Sequence, residues 1–331
     1  MENIIKTVTI IYNPQSSRFD KNILEKVKEK LSSRDIETAV VESCWAGHVV
    51  SLVKKYNPMC DLIVSIGGDG TMGECFQGFF GEEQRALYTH LSTGATNDSA
   101  DNFGLIKNDV PASFDMILNG TVKDIDVMTV NRSPFSYISA FGFVANVPYD
   151  TPHNLKRRLG RAAYVLYAVK EFVKLPRKMQ LKYTVDGEET EETAVLAIIS
   201  NSKNFAGVEI HKNAKLDDGL FEVLFLRRAT PKLIAQVFAD YLKDDINFDH
   251  YGDAAVTFLA DEVTVNFDNG KMDFDLCNDG DKYTLDRDDL SLCYKIGGRL
   301  KMLLPTEFKI PMEFKIPGNQ DGAGNQDAEA N

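Results

Sequence analysis

The stretch Ser65–Glu74, SIGGDGTMGE, joins an apolar strand pattern to residues suited to phosphate chemistry. Gly67 and Gly68 end the apolar run, and because they lack a Cβ, the backbone can turn there and approach a ligand. Thr71 is predicted to begin and cap a helix whose free N–H groups face phosphate oxygens. Asp69 beside phosphates needs a cation, and Mg²⁺ held by carboxylate and phosphate oxygens fits. The motif predicts a magnesium–phosphate site, although a glycine-rich turn with an exposed aspartate would have the same sequence.

Two further polar segments follow predicted strands in the first half of the chain, at Asn13–Arg18 and Thr93–Asp98. Ligands bind at the carboxyl ends of parallel strands, so we expect both segments to meet Gly67–Thr71. Asn97 could bond a base or ribose. Read alone, Asn-Pro marks turns generally, and the second segment equally suits a helix capped by Asp98. The GxxxxGK[ST] pattern is absent, so this is not a P-loop site.

Short apolar runs alternate with helical patterns over the first 128 residues. This alternation predicts a parallel sheet with helices on both faces. The strand candidates are Thr7–Tyr12, Glu37–Val41, Asp61–Ile66, Leu87–Leu91 and Val122–Val127, and the helix candidates are Lys21–Leu31 and Val49–Tyr56.

After about Val130 the pattern changes to β-runs separated by turn formers such as Asp186-Gly187, which predicts a mainly antiparallel β-sandwich. Helical patterns at Leu155–Lys174 and Pro231–Leu242 interrupt it. The strand candidates are Phe135–Val147, Gln180–Val185, Ala194–Ser200, Leu220–Leu226, Val263–Phe267, Lys271–Cys277, Tyr283–Leu285 and Leu290–Ile296. We expect domains at 1–128 and 129–296, a return segment at 297–305 that packs on the first domain, and a disordered tail at 306–331 that contains short repeats.

The composition of the chain bears on nucleic-acid binding, on disulfide formation and on insertion into a membrane. The 331 residues include 37 Lys+Arg and 49 Asp+Glu, a formal net charge of -12, which disfavours general nucleic-acid binding. The five cysteines are odd in number and include no CxxC pair, so we expect reduced thiols in a cytosol. Neither a signal peptide nor an apolar run of the ~20 residues that span a bilayer is evident, so we expect any membrane contact to be peripheral.

The ordered set of motifs resembles the diacylglycerol kinase catalytic family, which includes soluble bacterial diacylglycerol kinases and sphingosine kinases. The nucleotide motifs are GGDGT at Gly67–Thr71, NPxSS at Asn13–Ser17 and TGATND at Thr93–Asp98. The similarity extends from Ile4 to Pro305 and includes stretches at Tyr149–Pro152, Lys215–Gly219 and Asp279–Asp281. The resemblance implies an NAD kinase/phosphofructokinase-like α/β domain that binds ATP, a β-sandwich lipid-substrate domain, and phosphoryl transfer to diacylglycerol or a similar lipid in the cleft between them.

The resemblance also implies a role for individual residues. Asp281 corresponds to the general base, and Asp69 with Mg²⁺ would position the γ-phosphate. A structural Mg²⁺ would bind the backbone oxygens of Lys215 and Leu220 and the carboxylate of Asp218. ATP would contact Asn13, Pro14, Gln15, Ser16, Ser17, Ser43, Gly67, Gly68, Asp69, Gly70, Thr71, Gly94, Ala95 and Asn97.

Four positions depart from the family pattern: Ala95 replaces Thr, Ser17 replaces Gly, Asp101 replaces a basic residue and Asp281 replaces Glu. The shorter base matters because a displacement on the order of 1 Å can cost about 10²-fold in rate. Two alternatives therefore stay open, a soluble kinase of NAD type that shares GGDGT and a catalytically weak lipid or nucleotide sensor.

A basic stretch at Asn154–Lys182 carries nine Lys/Arg and one Glu, interleaved with apolar residues. An anionic bilayer attracts such a stretch by about 1 kcal/mol per near-surface cation, whereas a solvated helix face would have a similar sequence. We expect a cytoplasmic protein that binds the inner face of the membrane through Arg157, Arg158 and Arg161 and can form a homodimer.

Reversal of Arg157, Arg158 and Arg161 to Glu is predicted to lower co-sedimentation of the chain with anionic vesicles, because the patch would then repel the lipid surface. Zwitterionic vesicles provide the reference. Unchanged sedimentation with anionic vesicles would count against this patch.

Overall fold

A computed structural model describes residues 5–95, 97–106, 109–142, 178–205, 208–243, 245–267, 276–283 and 291–306 of the chain. The predicted helix at Leu155–Lys174, the three arginines of the basic patch, Thr96 and the tail from residue 307 lie outside these residues. No helix in the described part of the chain is both long and apolar enough to cross a bilayer.

The first part of the chain forms a parallel sheet whose strands alternate with helices, which confirms the predicted α/β architecture. The strand order is β2-β1-β3-β4, and all neighbours in this group are parallel. The strands are β1 (Thr7–Tyr12), β2 (Glu37–Glu42), β3 (Leu62–Gly67) and β4 (Leu87–Ser92), and the helices are α1 (Lys21–Ser32), α2 (His48–Tyr56) and α3 (Asp69–Phe79).

Local sequence explains these elements. Every residue of β3 is buried, as expected for a central strand covered on both faces. Helix α1 begins where the Asp20 side chain accepts a hydrogen bond from the Asn22 N–H, and it buries Leu24, Val27 and Leu31, which lie on one helical face.

Two short helices follow β4, namely α4 (Asp98–Asn102) and α5 (Val110–Leu118). The sequence pattern did not predict α5, because a nine-residue segment with proline in its first turn carries little periodic signal. The Asp109 side chain caps it by accepting from the Ala112 N–H at 3.0 Å.

The sheet continues into the second half of the chain. Strand β18 (Ser291–Leu304) pairs antiparallel with β5 (Thr121–Val130) from Tyr294↔Val130 to Leu304↔Thr121, and parallel with β4 at Met302↔Tyr88. The predicted division at residue 128 thus falls inside β5. The sheet is completed by β6 (Ser133–Phe135), β8 (Met179–Val185), β9 (Glu188–Ala194) and β15 (Glu262–Phe267).

A second, antiparallel sheet packs against this extension and forms the predicted sandwich. Side chains of the two sheets meet in one core that includes Phe141, Phe221, Phe225, Val265 and Tyr294. The strands in spatial order are β14 (Ala255–Ala260), β13 (Phe221–Leu226), β10 (Leu196–Ser200), β7 (Ile138–Gly142), β16 (Leu276–Asn278) and β17 (Asp281–Tyr283). The remaining elements in the described part of the chain are the hairpin β11 (Asn204–Phe205) with β12 (Val208–Glu209), helix α6 (Pro231–Leu242) and a kinked 3₁₀ segment at Phe248–Ala254.

Candidate active site

The predicted motifs meet at the carboxyl ends of the parallel strands. The Asn13 N–H donates to the Ile66 carbonyl at 2.9 Å, and the Thr93 N–H donates to the Gly67 carbonyl at 2.6 Å. The Thr93 hydroxyl donates to the Ser16 hydroxyl at 2.8 Å. Three loops that are distant in sequence are therefore held together by direct hydrogen bonds.

The first of these loops is a tight turn after β1. The Asn13 carboxamide oxygen accepts from the Gln15 N–H at 2.9 Å, and its amide nitrogen donates to the Thr71 hydroxyl at 3.3 Å. Pro14 and Ser16 are half-buried, whereas Gln15 and Ser17 are exposed. The backbone of Ser17 is not in the left-handed region, so the turn does not require glycine at this position.

Helix α3 begins at Asp69, and Gly68 occupies its N-cap position without a side-chain cap. The prediction that Thr71 caps this helix is wrong. Thr71 lies inside the first turn, where its side chain packs beneath the chain at Gly67, and a Cβ on Gly67 would lie 2.3 Å from the Thr71 Oγ1. The N-terminus of α3 thus has no side-chain cap from the residue before it, which suits an anionic ligand.

The β3 and β4 loops approach each other through glycine backbones. A Cβ on Gly68 would lie 3.2 Å from the Gly94 Cα, and a Cβ on Gly94 would lie 2.7 Å from both the Gly68 Cα and the Asn97 Oδ1. Gly94 cannot carry a Cβ without a shift of the Gly68 backbone, the contact at Gly68 is tight, and the half-buried Ala95 follows directly.

Asn97 is fully buried in the left-handed region (φ 55°), and neither polar atom of its side chain has a hydrogen-bond partner in the described structure. An unsatisfied buried amide costs free energy, so a ligand with donor and acceptor groups would stabilise it. This observation fits a nucleotide. Asn97 also directly precedes α4, so the expectation that Asp98 caps that helix is wrong: Asp98 is its first residue.

The carboxylate of Asp281, from the second half of the chain, reaches the first turn of α3. A Cβ on Gly70 would lie 3.4 Å from the Asp281 Oδ2. Asp281 begins β17 after a two-residue turn in which Asp279 (φ 52°) and Gly280 (φ 88°) are both left-handed, and Asn278 pairs with Asp281 across the hairpin. This geometry matches the primed turn that Asp-Gly favours.

Asp279 positions this turn, a role that sequence reasoning missed because Asp-Gly resembles any hairpin. Its carboxylate accepts from the Ser136 N–H at 2.6 Å, the Tyr137 N–H at 3.0 Å and the Ile138 N–H at 3.2 Å. It also lies against α3, because a Cβ on Gly73 would be 3.2 Å from its Oδ2. Burial raises the pKa of Asp279 to about 6, against the opposing effect of the three N–H donors.

Negative charge concentrates around these residues. Burial, followed by the charges of Asp69, Asp98 and Asp279, raises the pKa of Tyr137 well above its usual value. His90 lies beneath the β4 loop, where its Nδ1 bonds the Ser65 hydroxyl at 2.7 Å. Burial lowers the pKa of His90 to about 4, so the ring is neutral at pH 7 and supplies no balancing cation. The carboxylates of Asp69, Asp98 and Asp279 thus all act on one phenol, but among the described residues they do not form a group placed to hold a metal ion by themselves.

The predicted structural magnesium ligands lie in a loop that a buried aspartate holds. The carboxylate of Asp126, which is fully buried, accepts from the Gly219 N–H at 2.6 Å and from the Arg299 Nε at 2.9 Å. The Asp218 Oδ1 accepts from the Leu220 N–H at 3.1 Å. Among the residues that the structure describes, no group of three His, Cys, Asp or Glu side chains is placed to hold a metal ion, and the ligand set expected here consists of the Asp218 carboxylate and the backbone oxygens of Lys215 and Leu220. Such an all-oxygen set suits Mg²⁺.

Replacement of Arg299 by Ala is predicted to lower the free energy of unfolding by about 1–3 kcal/mol, because the buried Asp126 carboxylate loses its cation. The cost is below that of a wholly buried pair since Arg299 is 52% exposed. Lys301→Ala is the matched control on the same two strands: Lys301 pairs with Asp124 at 2.9 Å, both about half-exposed, and its loss should cost under about 1 kcal/mol. Equal urea-unfolding free energies for the two variants would contradict this role of Asp126.

The buried Asp279 is predicted to make stability decrease as pH rises from about 4 through about 6. In this window the unfolded chain releases a proton from Asp279 that the folded chain retains, so ionisation favours unfolding by about 1–3 kcal/mol. Asp279→Asn, which tolerates the left-handed backbone, should flatten this part of the urea-unfolding profile. Asp186→Asn, an exposed turn residue with the same φ of 52°, should leave it unchanged. Identical pH profiles for wild type and Asp279→Asn would contradict the prediction.

Two protein-family models together match most of the chain. Residues 7–130 match the model of the diacylglycerol kinase catalytic domain, and residues 138–284 match the YegS C-terminal NAD kinase beta sandwich-like domain. The diacylglycerol kinase of Bacillus subtilis is 29% identical over 267 residues, which are 79% of this chain and 86% of that protein. The diacylglycerol kinase of Staphylococcus saprophyticus is 28% identical over 229 residues, 68% of this chain and 74% of that one.

Solved structures agree on the fold. Two crystal structures from Bacillus anthracis strain Sterne that bear the name diacylglycerol kinase align with TM-scores of 0.76 and 0.70, at 22% and 19% sequence identity. Each alignment covers 92% of this chain and 98% of the other. The two family models in tandem and the curated relatives lead to one conclusion: residues 7–130 form a diacylglycerol kinase catalytic domain, and residues 138–284 form the YegS-type sandwich-like domain that follows it.

Proposed function

We propose that this protein, a phosphotransferase of the kinase class, transfers the γ-phosphate of ATP to the hydroxyl of diacylglycerol or a similar lipid. The observation that carries the proposal is the juxtaposition of the Asp281 carboxylate with Gly70 in the GGDGT turn. A base is of use to a kinase only where it can reach the acceptor hydroxyl beside the phosphate. The proposed base and the candidate phosphate site come from opposite halves of the chain and lie beside each other.

The nucleotide would bind along the carboxyl edge of the parallel sheet. The N-terminus of α3 at Gly68–Thr71 offers backbone N–H groups to phosphate oxygens, and Gly94 lets the neighbouring loop approach them. The buried amide of Asn97 would bond the base or ribose. The turn at Asn13–Ser17 and the buried Ser43, whose N–H donates to the Tyr12 carbonyl at 2.9 Å, complete the edge.

In the transfer step, the lipid hydroxyl loses its proton to the Asp281 carboxylate. The hydroxyl oxygen forms a bond to the γ-phosphorus while the bond from that phosphorus to the β-phosphate oxygen breaks, and ADP leaves. Asp69 at the start of α3 would hold Mg²⁺ beside the phosphates, and bound Mg²⁺ neutralises the charge that develops on the transferred group. The second Mg²⁺ would bind Lys215, Asp218 and Leu220 and brace their loop.

Two of the departures from the family pattern can be weighed for and against the alternative that the chain is a catalytically weak sensor. Asp101 lies exposed on α4, where its charge opposes phosphate attraction. The shortened base at Asp281 nevertheless approaches Gly70, which supports turnover. For the NAD-kinase alternative, the acceptor specificity must be tested directly.

The lipid acceptor requires contact with a bilayer. We include in the proposal that the protein works in the cytoplasm, at the anionic inner face of the membrane, and that it acts as a homodimer. The basic stretch at Asn154–Lys182 supports the membrane part through its charge.

Asp281→Asn is predicted to lower kcat by about 10²–10⁴-fold, because the amide cannot accept the proton of the hydroxyl. The measurement is transfer of radiolabel from ATP to diacylglycerol in mixed micelles, with NAD and a mixed lipid extract as parallel acceptors. Asp281→Glu retains a carboxylate and should keep measurable transfer, and Asp261→Asn, an exposed turn residue between β14 and β15, is the matched control.

The outcomes separate the three functions. Labelled lipid supports the proposal, and labelled NAD supports the alternative acceptor. Nucleotide binding without any labelled product would favour the sensor. Equal transfer by Asp281→Asn and wild type would remove Asp281 from the role of base.

A further inference from the structure

The chain contains a single tryptophan, and it lies on the loop that follows β2. The Trp45 ring is 64% exposed and stacks on the His48 ring, with centroids 3.8 Å apart and planes 15° from parallel. The His48 N–H donates to the Trp45 carbonyl at 3.1 Å and closes the turn between them. His48 therefore covers one face of the indole. The exposed area of Trp45 lies on the opposite face.

This loop is fastened to the helix that begins at the GGDGT turn. The carboxylate of Glu74, on α3, accepts from the Gly47 N–H at 2.9 Å and from the Val49 N–H at 3.1 Å. The His48 Nδ1 accepts from the Cys44 N–H at 3.1 Å, which fixes the orientation of the imidazole beneath Trp45. Glu74 also places an anion at the N-terminus of α2, so an incoming phosphate is directed to the N-terminus of α3 instead.

The position of the loop suits the base end of a nucleotide. Strand β2 lies two strands from β3 in the order β2-β1-β3, a distance of roughly 10 Å at the usual spacing. A nucleoside triphosphate whose phosphates lie at α3 is long enough to extend its base across β1 to the end of β2. Ser43, which is buried beside the Tyr12 carbonyl, lies on that path.

We propose that Trp45 is a specificity-determining residue whose open face stacks on the purine ring of the bound nucleotide, with His48 as its positioning residue. The inference rests on the proposed function only in that the chain binds a nucleotide, and not on which acceptor is phosphorylated. A flat purine on a rigidly supported indole gains base–aromatic stacking, whereas the phosphate contacts at α3 are indifferent to the base.

The test measures binding of ADP with Mg²⁺ to the full chain by titration calorimetry, independently of lipid turnover. Trp45→Ala should weaken binding by about tenfold, as expected for the loss of one base–aromatic stack. Trp45→Phe should recover most of the affinity because an aromatic face remains. Met59→Ala is the matched control: Met59 is also strongly exposed (63%), but it lies just before β3, at the amino end of the strands.

A second readout uses the intrinsic fluorescence of the sole tryptophan. ADP with Mg²⁺ should change its emission, whereas inorganic tripolyphosphate with Mg²⁺, which has phosphates but no base, should not. Tripolyphosphate should also inhibit the kinase equally in wild type and Trp45→Ala.

Unchanged ADP affinity in Trp45→Ala overturns the inference while leaving the proposed kinase function intact. ADP binding that depends on Trp45 in a chain that phosphorylates no lipid supports the inference and refutes the proposed function. Absence of ADP binding to the wild-type chain overturns both.

Discussion

The shared strand β18 is the constraint on which the candidate active site depends. Its first residues pair with β15 of the sandwich, and its last residues run beside β4 at the edge of the parallel sheet, while β5 pairs along nearly its whole length. Backbone hydrogen bonds thus join the two halves at a fixed distance. Without that fusion, Asp281 on one half would have no defined position relative to Gly70 on the other.

Buried polar groups and close backbone contacts, which are energetically unfavourable, occur together at the carboxyl edge of the parallel sheet. The Asn97 side chain is buried with no hydrogen-bond partner among the described residues, Asp279 is buried as a carboxylate, and Gly68 and Gly94 bring two backbones together. The buried Asn97 amide and Asp279 carboxylate cost stability, and a ligand that hydrogen-bonds the Asn97 side chain would recover part of this cost. The surrounding apolar core, which continues from β3 beneath the loops, offsets these costs.

Sequence alone predicted the elements whose burial is uniform. Strands such as β1 and β3 are continuous apolar runs, and the motifs that follow them were expected to converge because parallel strands share one edge. Strand β9, with the sequence EETEETA, was missed because its acidic residues suit an exposed strand at the end of a sheet rather than any hydrophobic pattern. The Asp126–Arg299 pair was invisible because 173 positions separate the partners, and only the return of β18 unites them.

The two-residue turn at Asp279-Gly280 has a consequence for the strand that follows it. Successive residues of a strand point to opposite sides, so the side chain of Asp281 faces α3 only while β17 keeps the register in which Asn278 pairs with Asp281. A shift of β17 by one position along β16 would turn the Asp281 carboxylate away from α3 and would also move Tyr283 out of its contact with the sandwich core. The same pairing register therefore fixes both the aim of the proposed base and the packing of the sandwich behind it.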